Sequence, residues 1–138
     1  VGKPGSDLET YGRLVHLTQK AGIVAKLNVV VGLPGESWQS IRRTIQTIRR
    51  LKPDVVMAAI ITPYPGTKVF EEAKRLKLLL TDDWSHYTGF EPVMRTEKLT
   101  ADELLRAQEM VSGCLDSTPA YRRALRKVRR FFFTPPET

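Results

Sequence analysis

The stretch Asn28-Val29-Val30-Val31-Gly32-Leu33-Pro34-Gly35-Glu36 decides how this chain is read. A β-branched apolar run breaks into a Pro/Gly turn. Ile41, Ile45, Ile48 and Leu51 then recur at helical spacing. The same order returns at Ile60-Ile61-Thr62-Pro63-Tyr64-Pro65-Gly66-Thr67, followed by Val69, Phe70, Ala73 and Leu76. Strand, loop and helix thus occur twice. In parallel α/β folds the loops that follow strands carry the chemistry, so these two loops are where function is sought.

Working outward, Ser6-Asp7-Leu8-Glu9 has the form of a capping box with Ser6 as the N-cap. Leu8, Tyr11, Leu14 and Val15 follow at helical spacing, and Gly22 is expected at the C′ position. Ile23 to Val31 lacks two-residue alternation, which predicts a strand buried on both faces. The second helix is expected from Glu36 or Ser37, with Arg42, Arg43, Arg49 and Arg50 turned away from its apolar side. Val55 to Ile61 reads as a second buried parallel strand. Parallel strands need helical crossovers, and two strands alone close nothing. The rest of a barrel or wide sheet must come from other sequence. Val1 leads straight into Gly2-Lys3-Pro4-Gly5, so a cut inside a longer protein is expected. A bare sheet edge would follow from it.

Downstream, Leu80 to Leu99 is irregular and is expected to pack through Trp84 and Tyr87. Thr100-Ala101-Asp102-Glu103 is another capping box, opening a helix with Leu104, Leu105, Val111 and Leu115 inward. A last amphipathic helix sets Tyr121, Leu125, Val128 and Phe132 on one side and stops at Pro135-Pro136. The expected division is 1–80 for the strand-helix units and 81–138 for a loop and helical extension.

Composition narrows the classes. The chain has 138 residues and 41% apolar content, enough for one core. It shows neither a secretory signal nor a bilayer-length apolar run. A single cysteine, Cys114, gives no disulfide framework and suits the cytoplasm. With His16 and His86 far apart in sequence, no metal site is expected from these residues. The net charge is +7. Residues 116–138 set Arg122, Arg123, Arg126, Lys127, Arg129 and Arg130 against Asp116 and Glu137, a net +4. That cluster reads as a solvated helix face, or as a surface for nucleic acid or another anionic partner.

Each loop has a physical logic and a plain alternative. Gly32 at a strand end allows a flat ligand close to the backbone. Pro34 stiffens the turn, and Gly35 can take positive φ. Free N–H groups at the next helix start can bind an acceptor. Glu36 in a first helical turn would favour the helix dipole, hold the loop or accept a ligand hydroxyl. By spacing alone this is a generic strand-to-helix turn, and the Gly-Lys-Ser/Thr ending of a phosphate-binding P-loop is absent. Pro63 and Pro65 hold Tyr64 rigidly, and Thr67 reads as an N-cap. His86 reads as a packing residue, with acid/base work as the alternative. Asp82 and Asp83 read as turn residues, and Cys114 as a small core residue.

Together these segments resemble the radical S-adenosylmethionine (SAM) superfamily, most closely its branch with an upstream cobalamin-binding domain. There the fifth strand commonly ends in Gly-Leu-Pro-Gly-Glu, as Gly32 to Glu36 do, and the sixth in Thr-Pro-Tyr-Pro-Gly-Thr, as Thr62 to Thr67 do. Lys3 to Gly5, Asp83-Trp84, Pro92-Val93 and the helix after Thr100 fit the same pattern. The resemblance implies an α/β fold: the closing strands of a partial parallel (β/α) barrel with a C-terminal helical extension. It implies that Val30, Gly32, Leu33, Glu36, Thr62, Pro63 and Tyr64 border or support a SAM site. Asn28 stands where the family's strand-five motif begins with glycine. The Cys-x-x-x-Cys-x-x-Cys loop for a 4Fe-4S cluster is absent. The implied parent cleaves SAM reductively to a 5′-deoxyadenosyl radical, with cobalamin-dependent methyl transfer as an added option; the chain alone should do neither. Implied partners are the missing N-terminal half of the barrel, a small-molecule substrate and an external electron donor. The alternatives are an ordinary phosphate-binding (β/α) barrel enzyme and a basic nucleic-acid-binding module.

Overall fold

A computed structural model describes residues 7–116 and 119–133. The readings placed on Ser6, on Lys3 to Gly5 and on Pro135-Pro136 lie outside the described residues, as does the side chain of Phe132. The order is α1 (Leu8–Lys20), β1 (Lys26–Val31), α2 (Trp38–Leu51), β2 (Val55–Ile60), α3 (Lys68–Arg75), α4 (Ala101–Ser112) and α5 (Pro119–Phe133). Single 3₁₀ turns cover Trp84–His86 and Gly113–Leu115.

β1 and β2 pair in parallel, with Leu27 opposite Val56, Val29 opposite Ala58 and Val31 opposite Ile60. Both strands alternate in burial, contrary to the expectation of strands buried on both faces. Val31, Val56, Ala58 and Ile60 are buried, with Leu27 and Val29 packed against them. Lys26, Asn28 and Val30 are exposed. The physical reason is layering. α2 and α4 both pack on one face, joining Ile41, Ile45, Ile48, Leu104, Ala107, Val111 and Leu115 to the strand residues in a single core. Fully burying Ile41, Ile48 or Leu104 contributes about 1.5–3 kcal/mol apiece.

The helices start where local chemistry satisfies their first N–H groups. Asp7, not Ser6, caps α1 by accepting from Thr10 N. The carboxylate is as good an acceptor as the hydroxyl and lies one residue nearer the helix. Ser37 caps α2 in a reciprocal box with Ser40, so Glu36 lies in the loop and not in the first helical turn. Thr67 caps α3, and Thr100 with Glu103 boxes α4, as expected. Gly22 takes φ +80° just past α1, the C′ position.

The structure turns outward one residue read as inward, Leu105, and leaves much of the apolar sides of α1 and α5 exposed. α1 buries none of its residues, since nothing described covers Leu8, Tyr11 or Leu14. Leu105 on α4 is exposed, and the small Ala107 takes the core position. Among the described side chains of α5 the buried one is Ala124, while Leu125 and Val128 are exposed.

The two strand edges differ. On the β2 flank, Ser112 Oγ accepts Ala58 N–H at 3.1 Å and Gln108 Nε2 donates to Ala58 O at 3.1 Å. Next along, Ile60 N–H reaches Gly89 O at 2.7 Å. On the β1 flank, the sheet ends with no further strand among the described residues. At the start of the sheet, Asp54 is fully buried; its Oδ2 accepts Ala25 N–H and its own N–H donates to Ala25 O, both at 2.9 Å.

Candidate functional site

The two Pro/Gly loops lie side by side at the C-terminal ends of the strands. Ile61 N–H donates to Val31 O at 2.8 Å, so Gly32 and Thr62 leave the sheet as neighbours. Gly32 has φ +87°, a conformation that favours glycine. A Cβ there would stand 2.9 Å from Ile61 Cγ2 and from Leu104 Cδ2. Interior packing is therefore sufficient to require glycine at this position.

Glu36 closes the first loop. Its Oε2 accepts Gly32 N–H at 2.5 Å, and its own N–H donates to Leu33 O at 2.9 Å. Gly35 takes φ +78° as the turn requires, and Lys98 Nζ donates to Gly35 O at 3.3 Å. Leu33 projects from this loop and is 45% exposed.

The second loop is anchored at both ends. Pro63 is buried, and Thr62 Oγ1 donates to Ile60 O at 3.2 Å. Tyr64 is half exposed, yet its hydroxyl donates to Tyr87 O at 3.0 Å. Its ring lies 6.3 Å from that of Tyr87, which in turn lies 4.6 Å from Trp84. The irregular 80–99 segment thus packs through its aromatics, as the sequence implied. Burial raises the Tyr87 phenol above its usual range.

Val30 stands on the uncovered sheet face with Asn28, and its register partner is Ala59. Of the seven residues expected around a SAM site, six belong to the two loops flanking the strand ends, Pro63 among them buried, and Val30 faces the open side of the sheet. A cavity of about 50 Å³ bordered by Gly32, Pro34, Gly35, Val69, Glu72 and Met94 includes Gly32 alone of the seven. It is far below the ~300 Å³ that small-molecule pockets begin at. A wider groove of about 470 Å³ runs between α1, β1 and α2, past Tyr11, Asn28 and Arg43.

Beyond Glu36 and Tyr64 in the loops themselves, His86, Asp83 and Cys114 serve local contacts. His86 is on the surface, its Nδ1 2.6 Å from Glu91 Oε2 and its Nε2 3.9 Å from Asp83. The bond to Glu91, then its charge, raises the imidazole pKa. Asp83 caps the short 3₁₀ turn by accepting from Ser85. Cys114 is partly buried against the core, and desolvation raises its thiol pKa, opposite to what a metal-bound or nucleophilic thiolate needs. Among the described residues no three His, Cys, Asp or Glu side chains converge as metal ligands. A 4Fe-4S cluster does not fit this chain's own residues.

Known proteins resemble part of the chain. No family model matches the chain. An uncharacterized methyltransferase of Pyrococcus horikoshii is 34% identical over 90 residues, 65% of this chain and 20% of that protein. The bacteriochlorophyllide d C-8(2)-methyltransferase of Chlorobaculum tepidum is 24% identical over 90 residues, again 65% and 20%. An anaerobic magnesium-protoporphyrin IX monomethyl ester cyclase of Rubrivivax gelatinosus is 27% identical over 99 residues, 71% and 17%. The likeness is to enzymes, two named as methyltransferases and one as a cyclase. It supports the resemblance at the level of the superfamily. The chain spans about a fifth of the length of these curated relatives.

Proposed function

We propose that this chain supplies the closing strands of a partial parallel (β/α) barrel in a radical SAM enzyme. The observation that carries the reading is the one-sided layering of the sheet. α2 and α4 cover one face, while Asn28 and Val30 on the other face are bare. In a barrel the helices lie outside and the opposite face lines the interior. Both Pro/Gly loops open at the C-terminal end of the strands, where such folds place their chemistry. The unpaired flank of β1 and the uncovered apolar stripe of α1 are where the preceding strand and helix of the same barrel would pack.

In this reading Val30 and the backbone from Gly32 to Leu33 border the SAM adenine, with Thr62, Pro63 and Tyr64 on its other side. Glu36 fixes the first loop through Gly32 N–H. The cluster and its cysteines belong to the missing barrel half, as does reductive cleavage of SAM to the 5′-deoxyadenosyl radical. Two relatives named methyltransferases support methyl transfer as the overall reaction; cobalamin as the methyl carrier is an added option carried by the sequence resemblance. A small-molecule substrate and an external electron donor complete the partners, in a cytoplasmic enzyme.

The test is made on the full-length protein containing this chain, reconstituted anaerobically with iron and sulfide. Dithionite and SAM should yield 5′-deoxyadenosine, and Val30→Glu should weaken SAM binding about tenfold by setting a carboxylate against the adenine. A full-length protein that binds neither iron nor SAM would overturn the assignment.

A further inference from the structure

The charge of this chain is concentrated on one helix that the barrel reading leaves without a task. The α5 sequence, PAYRRALRKVRRFFF, holds six cations and no carboxylate. Among its described side chains only Ala124 is buried, so the helix rests lightly on the body. Arg123 lies 4.0 Å from Asp54, which ties one side of the helix to the start of β2. Elsewhere on the helix Leu125 is 51% exposed and Val128 42% exposed. Arg122, Leu125 and Arg126 line one shallow depression with Pro119.

A merely solvated face does not call for leucine and valine beside arginines. A nucleic-acid backbone would use the guanidinium groups but gain nothing from the aliphatic ones. A lipid surface uses both, since aliphatic side chains enter the headgroup boundary while arginines meet anionic phosphates. No described helix is long and apolar enough to cross a membrane, so contact through α5 would be in the plane of the interface. We propose that α5 docks the protein on an anionic lipid surface, through Leu125 and Val128 flanked by Arg122 and Arg126.

The experiment is flotation of the 138-residue chain with vesicles of phosphatidylcholine and phosphatidylglycerol at three to one, against phosphatidylcholine alone. Binding should be about tenfold stronger to the anionic vesicles and should fall as salt rises from about 0.05 to about 0.5 M. Arg122→Gln with Arg126→Gln should weaken it about tenfold. Arg42→Gln with Arg50→Gln, which removes the same charge from exposed positions on α2, should change it less than about twofold. Leu125→Asn, which leaves the charge unchanged, should weaken it about threefold. Circular dichroism establishes that each variant keeps its helices. Absent flotation, equal losses in the two arginine pairs, no effect of Leu125→Asn, or capture of RNA that anionic vesicles do not compete away would each overturn the proposal.

Discussion

The Glu36 carboxylate reaches back four residues to hold the backbone N–H of Gly32 at 2.5 Å. This bond closes the first loop on itself before α2 begins. A hydrogen bond to a charged group contributes about 1.5–3 kcal/mol, and Glu36 is only partly buried, so the lower end applies. Glu36→Ala should lower stability by about 1.5 kcal/mol in urea denaturation. Under the proposed function, the same change in the full-length protein should also weaken SAM binding. Wild-type stability in this variant would show that the bond does not hold the loop.

Two glycines in that loop separate strain from crowding. Both have positive φ, but a Cβ at Gly32 meets Ile61 and Leu104 at 2.9 Å, whereas one at Gly35 meets nothing within 4 Å. Gly35→Ala should cost about 1 kcal/mol, from backbone strain alone. Gly32→Ala should cost about 3 kcal/mol, because overpacking adds to strain. Equal denaturation midpoints for the two variants would contradict the packing described around Gly32.

Asp54 binds the starts of the two strands together and has one oxygen, Oδ1, without a hydrogen bond. Arg123 is 4.0 Å from that oxygen, beyond hydrogen-bond reach, and its side chain is half in solvent. Asp54→Ala should therefore cost about 2–4 kcal/mol by orphaning Ala25 N–H and opening a void. Arg123→Gln should cost less than about 1 kcal/mol, as solvent screens the pair. The pair of melting curves checks this order, and a larger loss from Arg123→Gln would reverse it.

His86 provides a pH reporter. Its hydrogen bond to Glu91, and then the charge of Glu91, raise its pKa above the usual 6.5. A pKa raised by folding means that the contribution is fully present below about pH 6.5 and fades as pH climbs through the folded value. Proton NMR should find the His86 midpoint above 6.5, and Glu91→Ala should bring it back toward that value. A midpoint at or below 6.5 in the parent chain would rule out the ion pair in solution.

Much of the strand-helix order was legible because local chemistry set it. Thr67, Thr100 with Glu103, and Gly22 are short-range signals, and each stands where its side chain or φ angle demanded. What a neighbouring element must decide was less legible. The run of valines before Gly32 reads as doubly buried, yet the face carrying Val30 is bare because no second layer covers it. Leu105 and Leu125 share the apolar character of core residues, but the residues buried on those helices include the smaller Ala107 and Ala124. The seven residues named for the site were found through a family resemblance. Spacing alone gave only a turn, and the bond from Glu36 to Gly32 has no signature beyond an acid four residues after a glycine.

The contrast between the two flanks of the sheet sets a direction of growth. At β2 both polar groups of Ala58 are already consumed by Ser112 and Gln108. A strand added there would have to evict two side chains of α4 before making its first ladder bond. Among the described residues no such stopper stands at β1. Any engineered fusion, swapped segment or ancestral duplication that lengthened this sheet would thus have to enter beside Asn28, and grafts beyond Ala58 should fail unless α4 is rewritten with them.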